Sequence, residues 1–145
     1  MKKGIYFSCL VLGLLFFTGC GSKSLSCTRE NNYSDEMIMN QDLTVSFKKD
    51  KVNKLSMNMD VKLGESYDSF KDSLIESVES EFSKYSDQSG INYKTNKNDD
   101  GFNFKVKINF NKLSDEARKN LDIVNYENSY DSVKFELEDA GYSCK

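Results

Sequence analysis

The chain has 145 residues, with 20 Lys and Arg against 23 Asp and Glu, a net charge of −3, and no His, Trp or Pro. Without histidine, Ser–His and Cys–His catalytic pairs and histidine-bearing zinc sites are excluded. The acidic balance argues against nucleic acid as a partner.

The first segment reads as an address. Lys2 and Lys3 precede an apolar run from Ile5 to Phe17, which is shorter than the roughly 20 residues a membrane-spanning helix needs. The run closes on Phe17, Thr18, Gly19 and Cys20. Small residues before a cysteine are what a lipoprotein signal presents to its peptidase, with the thiol taking a diacylglycerol; Phe17 stands where Leu is usual. Residues 1–19 are therefore expected to be a signal peptide, Cys20 the lipidated first residue, residues 20–24 a short tether and residues 25–145 a single domain. An ordinary secretory signal would instead leave Cys20 as a free thiol. An uncleaved anchor would need a longer run and a following basic cluster. Two or three acyl chains, at about 0.8 kcal/mol per buried methylene, make a stable anchor. Localisation at the extracytoplasmic face of the cell membrane follows from this reading, with the lipid as the contact to the membrane.

Removing residues 1–19 takes away two lysines and no acid, leaving a net of −5 on the mature chain. That sign argues against a domain lying flat on anionic lipid. The remaining length suits one domain with one modest core. Cys9 leaves with the signal and Cys20 is taken by lipid, so Cys27 and Cys144 remain as the one possible disulfide pair. Export favours the bond; two free thiols are the alternative.

From Leu25 to about Tyr33 the pattern is polar and weakly strand-like. Alternation then sets in at Met37, Met39, Leu43, Val45 and Phe47, and again at Leu55, Met57, Met59, Val61 and Leu63, with a turn at residues 48–51. Val52 is out of phase with Leu55, which predicts a bulge or the turn itself. Ser66 is placed to cap an amphipathic helix over residues 66–86, with Tyr67, Phe70, Leu74, Val78, Phe82 and Tyr85 on one face. Ile91, Tyr93 and Thr95 start a hairpin that turns at residues 98–101 and returns through Phe102, Phe104, Val106, Ile108 and Phe110. Ser114 caps a short helix to Leu121, and Tyr130, Val133, Leu137 and Ala140 predict a last helix stopped by Gly141. The order gives an α+β, two-layer sandwich: an antiparallel sheet of about four to five strands with two to three helices on one face.

Candidate chemistry is sparse. Residues 96–101 imitate the first half of a calcium loop, but Lys107 stands where a bidentate glutamate would close it, so the segment reads as a hairpin turn. Met37, Met39, Met57 and Met59 could serve as soft ligands for copper(I), yet they share the parity of the aliphatic core and read as packing. No glycine-rich loop opens a helix. Catalytic, cofactor and metal residues are expected to be absent. Phe135 falls off the face made by Val133 and Leu137 and is expected at the surface.

The stretch from Leu43 to Lys54 (LTVSFKKDKVNK), the helix at 66–86, the hairpin at 91–110 and the terminal segment from Val133 to Tyr142 together resemble the YehR-like small bacterial lipoproteins. The resemblance spans about residues 42–144. It implies a lipid-anchored α+β domain of unknown function and carries over no catalytic residue. The expected role is that of a non-enzymatic, structural or accessory lipoprotein of the bacterial envelope. The runner-up is a lipoprotein that presents a small molecule, lipid or peptide to a membrane partner.

Overall fold

Period-two alternation becomes one antiparallel sheet in the computed structural model, which describes residues 21–121 and 123–145. Six strands, β1 (Ser22–Ser34), β2 (Met37–Lys48), β3 (Lys51–Leu63), β4 (Ile91–Asn98), β5 (Gly101–Asn109) and β6 (Ser143–Cys144), lie in the order β4-β5-β3-β2-β1-β6. Helices α1 (Lys71–Ser83), α2 (Asp115–Asn120) and α3 (Tyr130–Asp139) complete the expected α+β fold. The strand count exceeds expectation because of β1 and β6. Only Leu25 and Cys27 of β1 enter the core, while Arg29 and Asn31 take the next positions on that face, so the strand leaves a faint hydrophobic signal.

The two faces of the sheet differ by construction. Leu25, Val45, Leu55, Ile108 and Ile91 lie side by side across five strands, and the next core row runs through Cys27, Leu43, Met57, Val106 and Tyr93. The opposite face carries Ser26, Thr44, Ser56, Lys107 and Asn92 in one row and Thr28, Asp42, Asn58, Lys105 and Lys94 in the next. Strand β5, between edge strand β4 and β3, contributes Phe102, Phe104, Val106 and Ile108, all buried.

The helices cover the apolar face. α1 packs over β4 and β5, where Phe82 meets Phe104 at 5.2 Å and Tyr93 at 5.9 Å between ring centroids. α3 lies by β1 and β6, with Val133 fully buried and Tyr130 edge-on to Phe47. Aromatic pairs of this geometry add to what their buried area contributes. Ser114 caps α2 by accepting from the Ala117 N–H at 3.2 Å, and Ser129 does the same for α3 from Ser132.

The 66–86 helix departs from expectation at both ends. Residues Glu65–Phe70 form a 3₁₀ turn preceded by Gly64, without a side-chain cap, and the α-helix proper spans Lys71–Ser83. Three residues per turn rotate Phe70 off the face that a 3.6 period assigns it, and the residue is 59% exposed. The expected bulge is present: Phe47 pairs with Val52 while Ser46 pairs with Lys54, leaving Asn53 over. Lys49 and Asp50, at φ 52° and 58°, make the tight β2–β3 turn.

The hairpin turn between β4 and β5 is closed by Gly101 at φ +149°, where a Cβ would run into the Val61 carbonyl. The Lys71 ammonium, 6% exposed as a residue, donates to the carbonyls of Asp99 at 2.7 Å and Asn98 at 3.4 Å and pairs with Asp68 at 3.2 Å. An amine of the protein thus satisfies two main-chain carbonyls of the segment that imitates a calcium loop, placing a cation beside it. Met59 is buried, and Met37, Met39 and Met57 pack partly against the core; their cross-strand partners are Gln41, Leu63, Val61 and Leu43, respectively, and none is another methionine.

Candidate functional site

Residues 1–20, and with them the expected signal and the lipidated Cys20, lie outside the described residues. The chain is described from Gly21, whose φ is +53° and whose Cβ position lies 3.8 Å from the Lys49 amide nitrogen. Ser22 pairs with Lys48, Lys23 with Phe47 and Ser24 with Ser46. Three of the residues expected in a loose tether therefore belong to β1. Backbone pairing along the free edge of β2 does not require apolar side chains, which is why the polar Ser-Lys-Ser sequence gave no strand signal. Lys23 also sits over the Tyr130 ring, 5.4 Å from its centroid.

Cys27 and Cys144 are joined, with sulfurs 1.99 Å apart and Cα atoms 4.0 Å apart, across 117 positions of sequence. The two cysteines are cross-strand partners on β1 and β6, and Lys145 and Ser26 exchange N–H···O bonds of 2.8 and 3.3 Å beside them. Gly141, at φ +90°, turns the chain out of α3 and into β6. Two residues are too short for an alternation pattern, so the one sequence signal for this strand is Cys144 itself, as the remaining partner of Cys27.

A polar cluster borders the clasp. The Tyr142 hydroxyl donates to Gln41 Oε1 at 3.0 Å, and the Arg29 guanidinium lies 5.6 Å from the Tyr142 ring centroid. Burial pushes the Tyr142 phenol above the ordinary tyrosine range, the nearby Arg29 charge and its hydrogen bond pull it back, and Tyr33 raises it a little. The side of Gln41 away from Tyr142 reaches Met59 Sδ at 4.0 Å.

The open face of the sheet carries a hollow of about 330 Å³ bordered by Thr44, Ser46, Ser56, Lys54, Lys107 and Asn92. It is open to solvent and lies on the opposite side of the sheet from the helices. Among the described residues, no three Cys, Asp or Glu side chains converge as metal ligands, and no helix is long and apolar enough to cross a membrane. Phe135 is 73% exposed on α3, while Tyr126 stacks on Phe110 and Tyr130 packs on Phe47.

No protein-family profile and no curated protein matches the chain. Two solved structures share its fold. The NMR structure of the E. coli YehR protein superposes with a TM-score of 0.61 at 19% identity, covering 86% of this chain and 92% of that one. The NMR structure of a protein from Streptococcus pneumoniae TIGR4 gives a TM-score of 0.61 at 12% identity, covering 100% and 97%.

Proposed function

We propose that the chain is a bacterial lipoprotein of the YehR-like kind, anchored through acylated Cys20 to the extracytoplasmic face of the cell membrane. Its domain serves as a non-enzymatic structural or accessory element of the envelope. The observation that carries this reading is the junction of signal and domain: a cysteine behind an apolar run and two small residues, with strand pairing starting at Ser22. A domain rooted two residues from its lipid is held against the bilayer and positioned by it. The Cys27–Cys144 bond agrees with an exported chain.

The accessory role is preferred to ligand presentation because the space between sheet and helices is occupied by side chains of the protein itself, from Phe47, Phe104 and Phe110 to Val133. Radiolabelled fatty acid supplied to expressing cells is expected to enter the protein, and Cys20→Ala to abolish both labelling and retention in the membrane fraction. Persistent labelling of the variant would refute the anchor at Cys20.

A further inference from the structure

The domain is electrically polar along its strands. At one end, Lys48, Lys49 and Lys51 surround the β2–β3 turn, and Lys23 and Lys54 lie opposite Phe47 and Ser46, the next residues of β2 inward; all five are exposed. The acid within that turn, Asp50, is directed at α3, accepting from the Tyr130 N–H at 3.4 Å. Its charge is spent on a helix N-terminus, which favours an anion. Glu127 and Asp131 are the acids beside it on the helical side.

The other end has the opposite sign. The β1–β2 turn carries Asp35 and Glu36, the segment after β3 carries Glu65 and Asp68, and the β4–β5 turn carries Asp99 and Asp100, all exposed. These three segments meet in space: Gly64 donates to the Glu36 carbonyl and Leu63 to the Asp100 carbonyl, both at 2.7 Å. Three lysines stand among them: Lys71 is committed to Asp68 and to the turn carbonyls, Lys97 is paired with Asp72, and Lys62 lies exposed beside Leu63, so the six acids still outweigh the cations at this end. The 13 residues of β3 separate the two ends, a span of about 40 Å at the usual rise per residue. That is several times the Debye length of about 8 Å at physiological salt, so each end meets its surroundings independently of the other.

We propose that the lysine end is a docking surface for anionic phospholipid headgroups, and that the domain stands on it with the strands directed away from the bilayer and the acidic turns outermost. The proposal rests on the reading of Cys20 as the lipid anchor, because Gly21, the residue bonded to Cys20, lies against Lys49 at this same end. Net charge, which is negative and argues against lying flat, does not oppose an upright pose, since only the near end enters the headgroup field. Acyl chain and basic cluster then act on the same edge, and a second attraction of this kind is what turns a lipid tether into a fixed orientation.

The test uses the acylated, mature protein reconstituted in vesicles of phosphatidylcholine alone or mixed with phosphatidylglycerol, with lysine acetylation by a water-soluble reagent read by mass spectrometry. On the mixed vesicles Lys48, Lys49 and Lys51 are expected to react about fivefold more slowly than on phosphatidylcholine, the factor that about 1 kcal/mol per surface lysine implies. Lys62, Lys94, Lys97 and Lys105 should be unchanged, and high salt should erase the difference. Replacing Lys48, Lys49 and Lys51 by Gln should leave the protein on both vesicles while releasing the remaining protection of Lys23 and Lys54. Equal reactivity on the two vesicles, or protection of Lys62 and Lys97 instead, would overturn the docking surface while leaving the anchor intact. Protein that floats with neither vesicle would show that the anchor has failed and take the proposal with it.

Discussion

At the scale of single residues, three side-chain positions decide much of the local structure. Gly101 must be glycine because its φ is +149° and the Val61 carbonyl occupies the place of a Cβ. Gly101→Ala is expected to cost about 2–4 kcal/mol, measured as a shift in the urea midpoint at constant slope; a loss under about 1 kcal/mol would contradict that geometry. Lys71 shows what the sequence conceals. Its type and position suggest a solvated helix residue, and only the fold reveals that its amine closes the β4–β5 turn. Tyr142 carries a pH signature. Its folded pKa is raised, so its neutral form is favoured in the native state, and its contribution is complete below the unfolded value of about 10. As pH climbs from there toward the folded value, the unfolded chain releases its proton first and stability falls. Tyr142→Phe is expected to flatten that decline while losing about 1 kcal/mol at neutral pH with the Gln41 hydrogen bond. Urea titrations on either side of pH 10 compare the two slopes, and identical slopes would remove Tyr142 as their source.

Among the elements, those with strong periodicity were legible and those held by their neighbours were not. Leu55 to Leu63 and Phe102 to Ile108 alternate without interruption, and both are interior strands of the sheet, β3 at its centre and β5 beside the edge strand β4. Strand β1 stayed faint because its partner supplies the hydrogen bonds and the disulfide supplies much of the constraint. The 3₁₀ start before α1 was invisible because Tyr67 and Phe70 fit a 3.6 period as well as a threefold one until the turn is seen. Of the candidate site, Cys27 and Cys144 could be paired by elimination, but β6 could not be anticipated from two residues. Severing the bond is expected to show how much β6 depends on it. A closed loop of this length corresponds to about 4–5 kcal/mol in the chain-entropy treatment. Cys144→Ser should lower stability by about 2–5 kcal/mol, and hydrogen exchange should find the Ser26 and Lys145 amides unprotected while β2 and β3 keep their protection. Unchanged exchange at Ser26 would mean that backbone pairing alone holds β6 in place.

For the molecule as a whole, distribution matters more than total. Net charge is a sum over the chain and has no direction, so as a sequence reading it argues against a domain lying flat but is silent on one standing upright. Strand register supplies the missing vector by gathering the lysines of one turn with the start of β1 and the acids of three others at the far side.

The Cys27–Cys144 bond has one further consequence, for turnover. Between these two residues the polypeptide is a covalently closed ring, so one protease cut in any of its loops opens the ring without dividing the molecule. Both products remain attached to whatever holds residue 21. Separating the domain from that attachment by a single cleavage would require a cut before Cys27, where β1 is already zipped into the sheet.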